Sequence, residues 1–236
     1  MLEPNSPSPE SNSQPDDHRS PAPGAFSIWA RGLQISTPLT RLLGPLDLTI
    51  PVGSVVAVTG PSRCGKSILL LALTGRMRGV SGALTVAGHD GISDARRVRS
   101  ISAVARLQHL VVPEESLTLE DCITERTLMD AAKPCERYAR YLHAASLLGL
   151  DSGLDVLYGD LSPVDQTRAA IALACIRPAD VLVVDDLDQG ATLSEQRALW
   201  AGLLALSTDT CTLIATTAER AAIPASAHLV DLNPEN

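Results

Sequence analysis

Two patterns of hydrophobic positions recur along the chain: short β-branched runs, and longer stretches with apolar residues three or four positions apart. Apolar and polar residues alternate over 46–50, which predicts a half-exposed strand. The continuous β-branched run at 54–58 predicts a strand buried on both faces. Further strands are predicted at 82–88, 100–105, 181–184, 212–215 and 228–232, and helices at 66–74, 163–176 and 194–206. Because strands alternate with helices, the pattern predicts an α/β fold with a mostly parallel, covered sheet.

Two segments depart from this alternation. Residues 1–24 are dominated by Pro, Ser, Asp, Glu and Asn, a composition that predicts a disordered tail. From about 118 to 161, good helix formers with apolar residues spaced as in Tyr138, Tyr141 and Ala145 predict a helical insert. Residues 25–236 are therefore expected to form a single folded domain that carries this insert.

The composition narrows the class of protein and its partners. The 236 residues, 45% of them apolar, suffice for one large domain but are too few for two such domains in tandem. A formal net charge of −8 and 3% aromatic residues argue against nucleic acid as a partner, because basic surface and stacking rings are scarce. The longest apolar runs fall far short of the roughly 18 to 20 residues that span a bilayer, and no secretory signal is recognisable, so a cytosolic protein is expected.

The clearest chemical motif lies between the predicted strand 54–58 and the predicted helix 66–74. It reads Gly60-Pro61-Ser62-Arg63-Cys64-Gly65-Lys66-Ser67, which fits G-x-x-x-x-G-K-[ST], a phosphate-binding loop. Glycines let the backbone wrap a phosphate closely, and N–H groups at the helix start supply positive potential. Lys66 is expected to reach the β and γ phosphates, and Ser67 is expected to hold Mg²⁺.

Three further motifs follow the loop in order. Gln108 lies 42 residues after Lys66 and is followed by the sequence LTLED at 117–121. Residues 161–168 read LSPVDQTR, and residues 177–186 end in an apolar strand followed by two aspartates. Over nearly the whole folded part, the chain thereby resembles the ATP-binding cassette (ABC) ATPase family, with a Q-loop, a signature segment similar to LSGGQxxR, and a Walker B strand.

The resemblance implies a P-loop NTPase (RecA-like) core with a mostly parallel sheet, a small antiparallel β part and a helical insert subdomain. It also implies that ATP and Mg²⁺ are bound in a head-to-tail dimer with a second ABC cassette, identical or different. A transmembrane transporter subunit would dock near the Q-loop and the insert. The protein would then be cytoplasmic and peripheral, at the inner face of the cell membrane.

By the same resemblance, four side chains acquire expected roles. Gln108 would sense the γ-phosphate and Mg²⁺. Asp185 would hold Mg²⁺ together with Ser67, and Ser162 would touch the γ-phosphate of the opposite site. The residues alone leave simpler alternatives open: a solvated loop amide for Gln108, a strand-end carboxylate without metal for Asp185, and a helix cap for Ser162.

The chain departs from the family pattern at residues tied to the chemical step. Asp186 stands at the general-base position in place of Glu, and its shorter side chain withdraws the carboxylate by about 1 Å, which can lower the rate by about a hundredfold. Pro163 and Val164 replace two signature glycines, and Pro163 has no N–H to offer a phosphate. Thr217 stands where the family has a switch histidine, and Arg63 stands where glycine is common.

These features favour the nucleotide-binding subunit of an ABC transporter, which binds MgATP and hydrolyses it slowly. The alternative is a degenerate ATP-binding regulatory module with negligible hydrolysis. An ABC ATPase that acts on DNA or ribosomes is disfavoured by the single cassette, the lack of a long coiled coil and the acidic charge.

Overall fold

The structure is a computed structural model that describes residues 26–107 and 110–233. Its strands are β1 (Phe26–Ser36), β2 (Arg41–Pro51), β3 (Val55–Thr59), β4 (Val80–Val86), β5 (His89–Asp90), β6 (Ser102–Arg106), β7 (Val181–Val184), β8 (Thr212–Thr216) and β9 (His228–Asp231). Its α-helices are α1 (Lys66–Leu73), α2 (Ala95–Ile101), α3 (Leu119–Met129), α4 (Arg137–Leu148), α5 (Pro163–Ala174) and α6 (Leu193–Leu206). The predicted tail 1–24 and Gln108 lie outside the described residues.

The central sheet has the strand order β6-β7-β8-β3-β9, and its pairings within the described part of the chain are parallel. Every residue of β3 and β7 is buried, as expected for Val-rich strands that are covered on both faces. The predicted mostly parallel, covered sheet is confirmed. Because the strands share one direction, the loops that follow β3, β6, β7 and β8 meet at a single edge of the sheet.

Separate apolar cores cover the two faces of this sheet. One core packs α3, α4, α5 and α6 against it and includes the buried side chains of Tyr141, Tyr158 and Trp200. The other packs α1 and the second sheet against it through Leu69, Leu70 and their neighbours. Helix α1 is therefore held against the strand that precedes the phosphate loop.

The second sheet is antiparallel, with the order β2-β1-β4-β5, and it matches the predicted small antiparallel part. Strand β2 is longer than the predicted 46–50 and runs from Arg41 to Pro51. Its Leu43 side chain reaches the phosphate loop, because a Cβ placed on Gly65 would lie 3.0 Å from Leu43 Cδ1. The small sheet thus forms one wall beside the loop.

The prediction of a strand at 100–105 was wrong at its start. Residues up to Ile101 belong to α2, and β6 begins at Ser102. Helix α2 buries a single side chain, Val98, among arginines, so it has no apolar periodicity to reveal it. Its signal is a polar cap, since Asp94 Oδ1 accepts a hydrogen bond from the Arg97 N–H at 3.3 Å.

The region 118–161 contains α3, α4 and a short 3₁₀ helix at Tyr158–Asp160. Helix α3 begins with a capping box, in which the Thr118 hydroxyl and the Asp121 carboxylate accept each other's backbone N–H groups. No helix among residues 26–107 and 110–233 has the length and apolar character needed to cross a membrane.

Candidate functional site

The loop between β3 and α1 contains residues with positive φ, a backbone conformation that residues with a Cβ rarely adopt. Gly60 and Gly65 have φ of +150° and +100°, and a Cβ on Gly60 would lie 2.7 Å from Cys64 Sγ. Arg63 also has a positive φ, +66°. That conformation favours glycine, which is the physical reason why glycine is common at the Arg63 position.

Lys66 lies at the centre of this loop. Its side chain is buried, and its ammonium donates hydrogen bonds to the carbonyl oxygens of Gly60 at 2.9 Å and Pro61 at 3.2 Å. Within the described residues no side chain caps α1, and the first turn of α1 carries no acidic residue. The helix N-terminus and the ammonium therefore both present positive charge that no carboxylate of this turn offsets.

The loop and the general-base position share one cavity. Its volume is about 430 Å³, and its lining residues are Ser62, Arg63, Gly65, Lys66, Ser67, Ile68 and Asp186. The structure therefore brings the residue predicted as general base to the phosphate loop, although the two are distant in sequence.

Asp185 fits a divalent cation. Its side chain is fully buried at the end of β7, and Oδ1 accepts a hydrogen bond from the Thr216 hydroxyl at 2.5 Å. The other oxygen, Oδ2, is buried and has no hydrogen-bond partner among the described residues. A buried carboxylate oxygen without a partner is unfavourable, and a hard cation such as Mg²⁺ prefers oxygen ligands. The donor set at this position is therefore compatible with Mg²⁺.

Asp186 adopts an uncommon backbone conformation, with φ of +47°. Its N–H donates to Thr216 Oγ1 at 2.7 Å, and the N–H of Leu187 donates to the Thr216 carbonyl at 2.9 Å. Aspartate tolerates the left-handed region better than most residues with a Cβ. Thr216, at the end of β8, thus contacts both aspartates at the end of β7.

Arg106 is a buried cation at the end of β6, beside the same two aspartates. Its guanidinium donates to the Asp185 carbonyl from Nε and Nη2, both at 3.3 Å, and Nη2 also donates to the Asp186 carbonyl. Nη1 donates to Thr167 Oγ1 on α5 at 2.7 Å. Burial lowers the pKa of Arg106, and the nearby acidic groups, first Tyr158 and then Asp186, partly offset that effect.

The start of α5 holds Ser162, the predicted signature serine. Its hydroxyl accepts a hydrogen bond from the Asp165 N–H at 3.2 Å and donates to the Asp165 carboxylate at 2.7 Å, and Pro163 is the first helical residue. The contacts within this chain are those of a helix cap. Ser162 is not among the residues that line the cavity at the phosphate loop.

Thr217, at the position of the switch histidine, is buried. Its N–H donates to the Val58 carbonyl at 3.1 Å, and its hydroxyl donates to the Glu219 carbonyl at 3.3 Å. Thr217 therefore ties the end of β8 to β3 and to the loop that follows β8.

Sequence reasoning missed two residues of the site, Thr216 and Arg106. Thr216 carries no sequence signal that separates it from other threonines. Arg106 does carry one, because it is the only charged residue in the stretch 101–107, whose other residues are apolar except Ser102. A cation at such a position is buried only when oxygen acceptors meet it.

The fold and the phosphate-loop site are those of an ATP-binding cassette. The family model described as "ABC transporter" matches residues 43–188, and the chain belongs to this family. The cytochrome c biogenesis ATP-binding export protein CcmA of Xylella fastidiosa (strain 9a5c) is 28% identical over 172 residues, which cover 73% of this chain and 74% of that protein. The zinc transport system ATP-binding protein TroB of Treponema pallidum (strain Nichols) is 27% identical over 188 residues, which cover 74% of this chain and 66% of that protein.

Among solved structures, a bacterial Atm1-family ABC exporter with ATP bound superimposes with a TM-score of 0.70 at 19% identity. The match covers 92% of this chain and 39% of that chain. At this identity the likeness concerns the fold, and it confirms the predicted P-loop NTPase architecture.

Proposed function

We propose that this protein is the nucleotide-binding subunit of an ABC transporter, and that it binds MgATP and hydrolyses it slowly. The observation that carries this proposal is the cavity of about 430 Å³, which the phosphate loop and Asp186 line together. A triphosphate held by the loop would place its terminal phosphate on the side where Asp186 lies.

The residues predicted for the site have the following roles in this proposal. The N–H groups at the start of α1 and the Lys66 ammonium would bind the phosphates, and Ser67, Asp185 and Gln108 would hold Mg²⁺. Mg²⁺, when bound, neutralises charge on the phosphate oxygens. Asp186 accepts a proton from the water whose oxygen attacks the γ-phosphorus, while the bond from that phosphorus to the bridging oxygen of ADP breaks.

Slow turnover follows from Asp186 and from the start of α5. The carboxylate of Asp186 is one methylene shorter than that of Glu, and a displacement of about 1 Å can lower the rate about a hundredfold. In a dimer of cassettes, Ser162 and the residues after it would complete the site of the second cassette. Pro163 offers no N–H there, so slow turnover is expected of a homodimer and of a heterodimer.

A transmembrane partner has a groove available between the segment after β6 and α3. The groove has a volume of about 200 Å³, and its lining includes Leu110, Val112, Pro113 and Met129. Leu110 and Met129 are 72% and 75% exposed, which is unusual for side chains of this size and polarity. Docking there would place the protein at the cytoplasmic face of the membrane.

The regulatory alternative is favoured by the same departures, and phosphate release separates the two functions. Wild-type protein is expected to bind a fluorescent ATP analogue in the presence of Mg²⁺ and to release phosphate. The Asp186→Asn variant should release phosphate at least about 100-fold more slowly with nearly unchanged binding, because only the base is lost.

The matched control for this experiment is Asp180→Asn, which removes an exposed carboxylate at the opposite end of β7. It should leave phosphate release unchanged. Equal phosphate release from wild type and Asp186→Asn would support the regulatory module, and absence of MgATP binding would refute both functions.

A further inference from the structure

Arg106 is buried without an acidic partner in direct contact. It is 7% exposed, and none of the ion pairs within residues 26–107 and 110–233 involves it. Its hydrogen bonds go to two backbone carbonyls and one hydroxyl. A buried guanidinium is unfavourable for folding, so its neutral acceptors indicate a role other than stabilising the core.

Strand β6 is shaped to deliver this side chain. The pairing of β6 with β7 has a register shift between Val104 and Arg106, so Ala105 is the extra residue of a bulge. A bulge re-aims the side chains beside it. The Arg106 carbonyl accepts a hydrogen bond from the Asp185 N–H at 3.0 Å. Arg106 therefore binds the N–H of Asp185 through its backbone and the carbonyl of Asp185 through its side chain.

The turn that Arg106 binds contains the strained residue Asp186. Its positive φ is held from one side by Thr216, which accepts its N–H, and from the other by Arg106, which donates to its carbonyl. The Gln189 N–H donates to the same carbonyl at 3.0 Å. The Cβ direction of Asp186, and hence the place of its carboxylate in the cavity, depends on this conformation.

The third contact of Arg106 extends to the signature helix. Thr167 Oγ1, which accepts from Arg106 Nη1, donates to the Pro163 carbonyl at 3.1 Å. Arg106, Pro163 and Asp186 also line a common cavity of about 510 Å³. One continuous set of hydrogen bonds therefore joins the general-base position of this chain to the helix start that would face a second cassette.

We infer that Arg106 is a positioning residue for ATP hydrolysis: it holds the Asp186 backbone in its left-handed conformation and ties it to the start of α5. This inference rests on the proposed function, because it assigns Asp186 as the base. The positioning role differs from a purely structural role in that the loss of Arg106 should lower the rate of hydrolysis through Asp186, without a matching loss of MgATP affinity.

The test uses the full-length protein with Arg106→Met and Arg106→Lys. Arg106→Met should lower kcat about 10- to 100-fold with the MgATP Kd unchanged within about twofold, because the base is misplaced while the phosphate loop is intact. Arg106→Lys should recover only part of kcat, since an ammonium cannot reach both carbonyls and Thr167 at once. In an Asp186→Asn background, Arg106→Met should cause no further loss.

Arg76→Met is the matched control. Like Arg106, Arg76 donates hydrogen bonds to a carbonyl, that of Thr74, and to a hydroxyl, that of Ser102. Arg76 is exposed, however, and it does not line the cavity of about 510 Å³ that Arg106 shares with Pro163 and Asp186. Its loss should lower stability and leave kcat unchanged. Equal kcat losses in the two variants, or multiplicative losses of Arg106→Met and Asp186→Asn, would overturn the inference.

Hydrogen exchange separates a failure of this inference from a failure of the proposed function. Without nucleotide, amides at 186–189 should exchange at least about 10-fold faster in Arg106→Met, while those of the loop 60–67 stay unchanged. If the wild type releases no phosphate, the proposed hydrolysis is refuted and the exchange result alone decides the role of Arg106. Unchanged exchange at 186–189 would overturn the inference in either case.

Discussion

The two helices that would contact the nucleotide phosphates in a dimer begin in opposite ways. Helix α1 begins after Gly65, with no side-chain cap within the described residues and no acidic residue in its first turn. Helix α5 begins with Ser162 as a cap, Pro163 in the first position and Asp165 in the first turn. The first N-terminus is left open for an anion, and the second is satisfied by its own side chains.

Under the proposed function, this difference predicts that the two helix starts differ in how well they bind phosphate. The open end of α1 lies beside Lys66 and preserves a positive phosphate site. At α5, the Asp165 carboxylate accepts from the Ser162 hydroxyl and pairs with Arg168 at 2.8 Å, so the polar side chains at this helix start are bonded to one another. We therefore expect the chain to bind ATP in its own loop and to complete the site of a second cassette poorly.

The largest expected effect concerns the open end. Lys66→Ala should weaken MgATP binding at least about 100-fold, because a charge-assisted contact with the phosphates is lost and two carbonyls lose their donor. Titration with a fluorescent ATP analogue measures this. Lys133→Ala, which removes the chain's other lysine, exposed and paired with Glu136, should leave the Kd unchanged. Equal affinities of Lys66→Ala and wild type would contradict the contrast between the two helix ends.

A smaller effect is expected when a donor is restored at α5. Pro163→Ala keeps a Cβ and adds an N–H at the first helical position, where no intrahelical acceptor competes for it. Phosphate release should rise up to about 10-fold, as expected for one hydrogen bond to a charged group. The control Pro178→Ala, in the loop after α5, should have no effect. A rate that Pro163→Ala leaves unchanged would show that the missing donor does not limit turnover.

The smallest effect separates stability from binding. Ser162→Ala removes the cap of α5 and should lower the free energy of unfolding by about 1 kcal/mol, measured by urea denaturation. The MgATP affinity of the isolated chain should stay unchanged, because Ser162 is not part of its own cavity. Ser146→Ala, at an exposed position within α4, is the control for loss of a hydroxyl. A fall in MgATP affinity with Ser162→Ala would contradict the assignment of Ser162 to a different site.

Much of the site could be predicted from local sequence. The phosphate loop, the strand before it and the helix after it are contiguous, so the order of residues contains the whole unit 54–74. The cap at Ser162 was also predictable, because Ser followed by Pro and by an acidic residue is a local signal. Helix α2 was missed because only Val98 faces the core, and periodicity needs several buried side chains.

The sequence by itself determined most of the elements, their order and the chemistry of the phosphate loop, since these depend on neighbouring residues. The tertiary structure decided how the ends of β6, β7 and β8 meet. Only there do Arg106 and Thr216 reach Asp185 and Asp186. Strand order and register place these residues together, and no local pattern states either one. The general-base position is therefore named by its motif, but its conformation is decided by hydrogen bonds from two other strands.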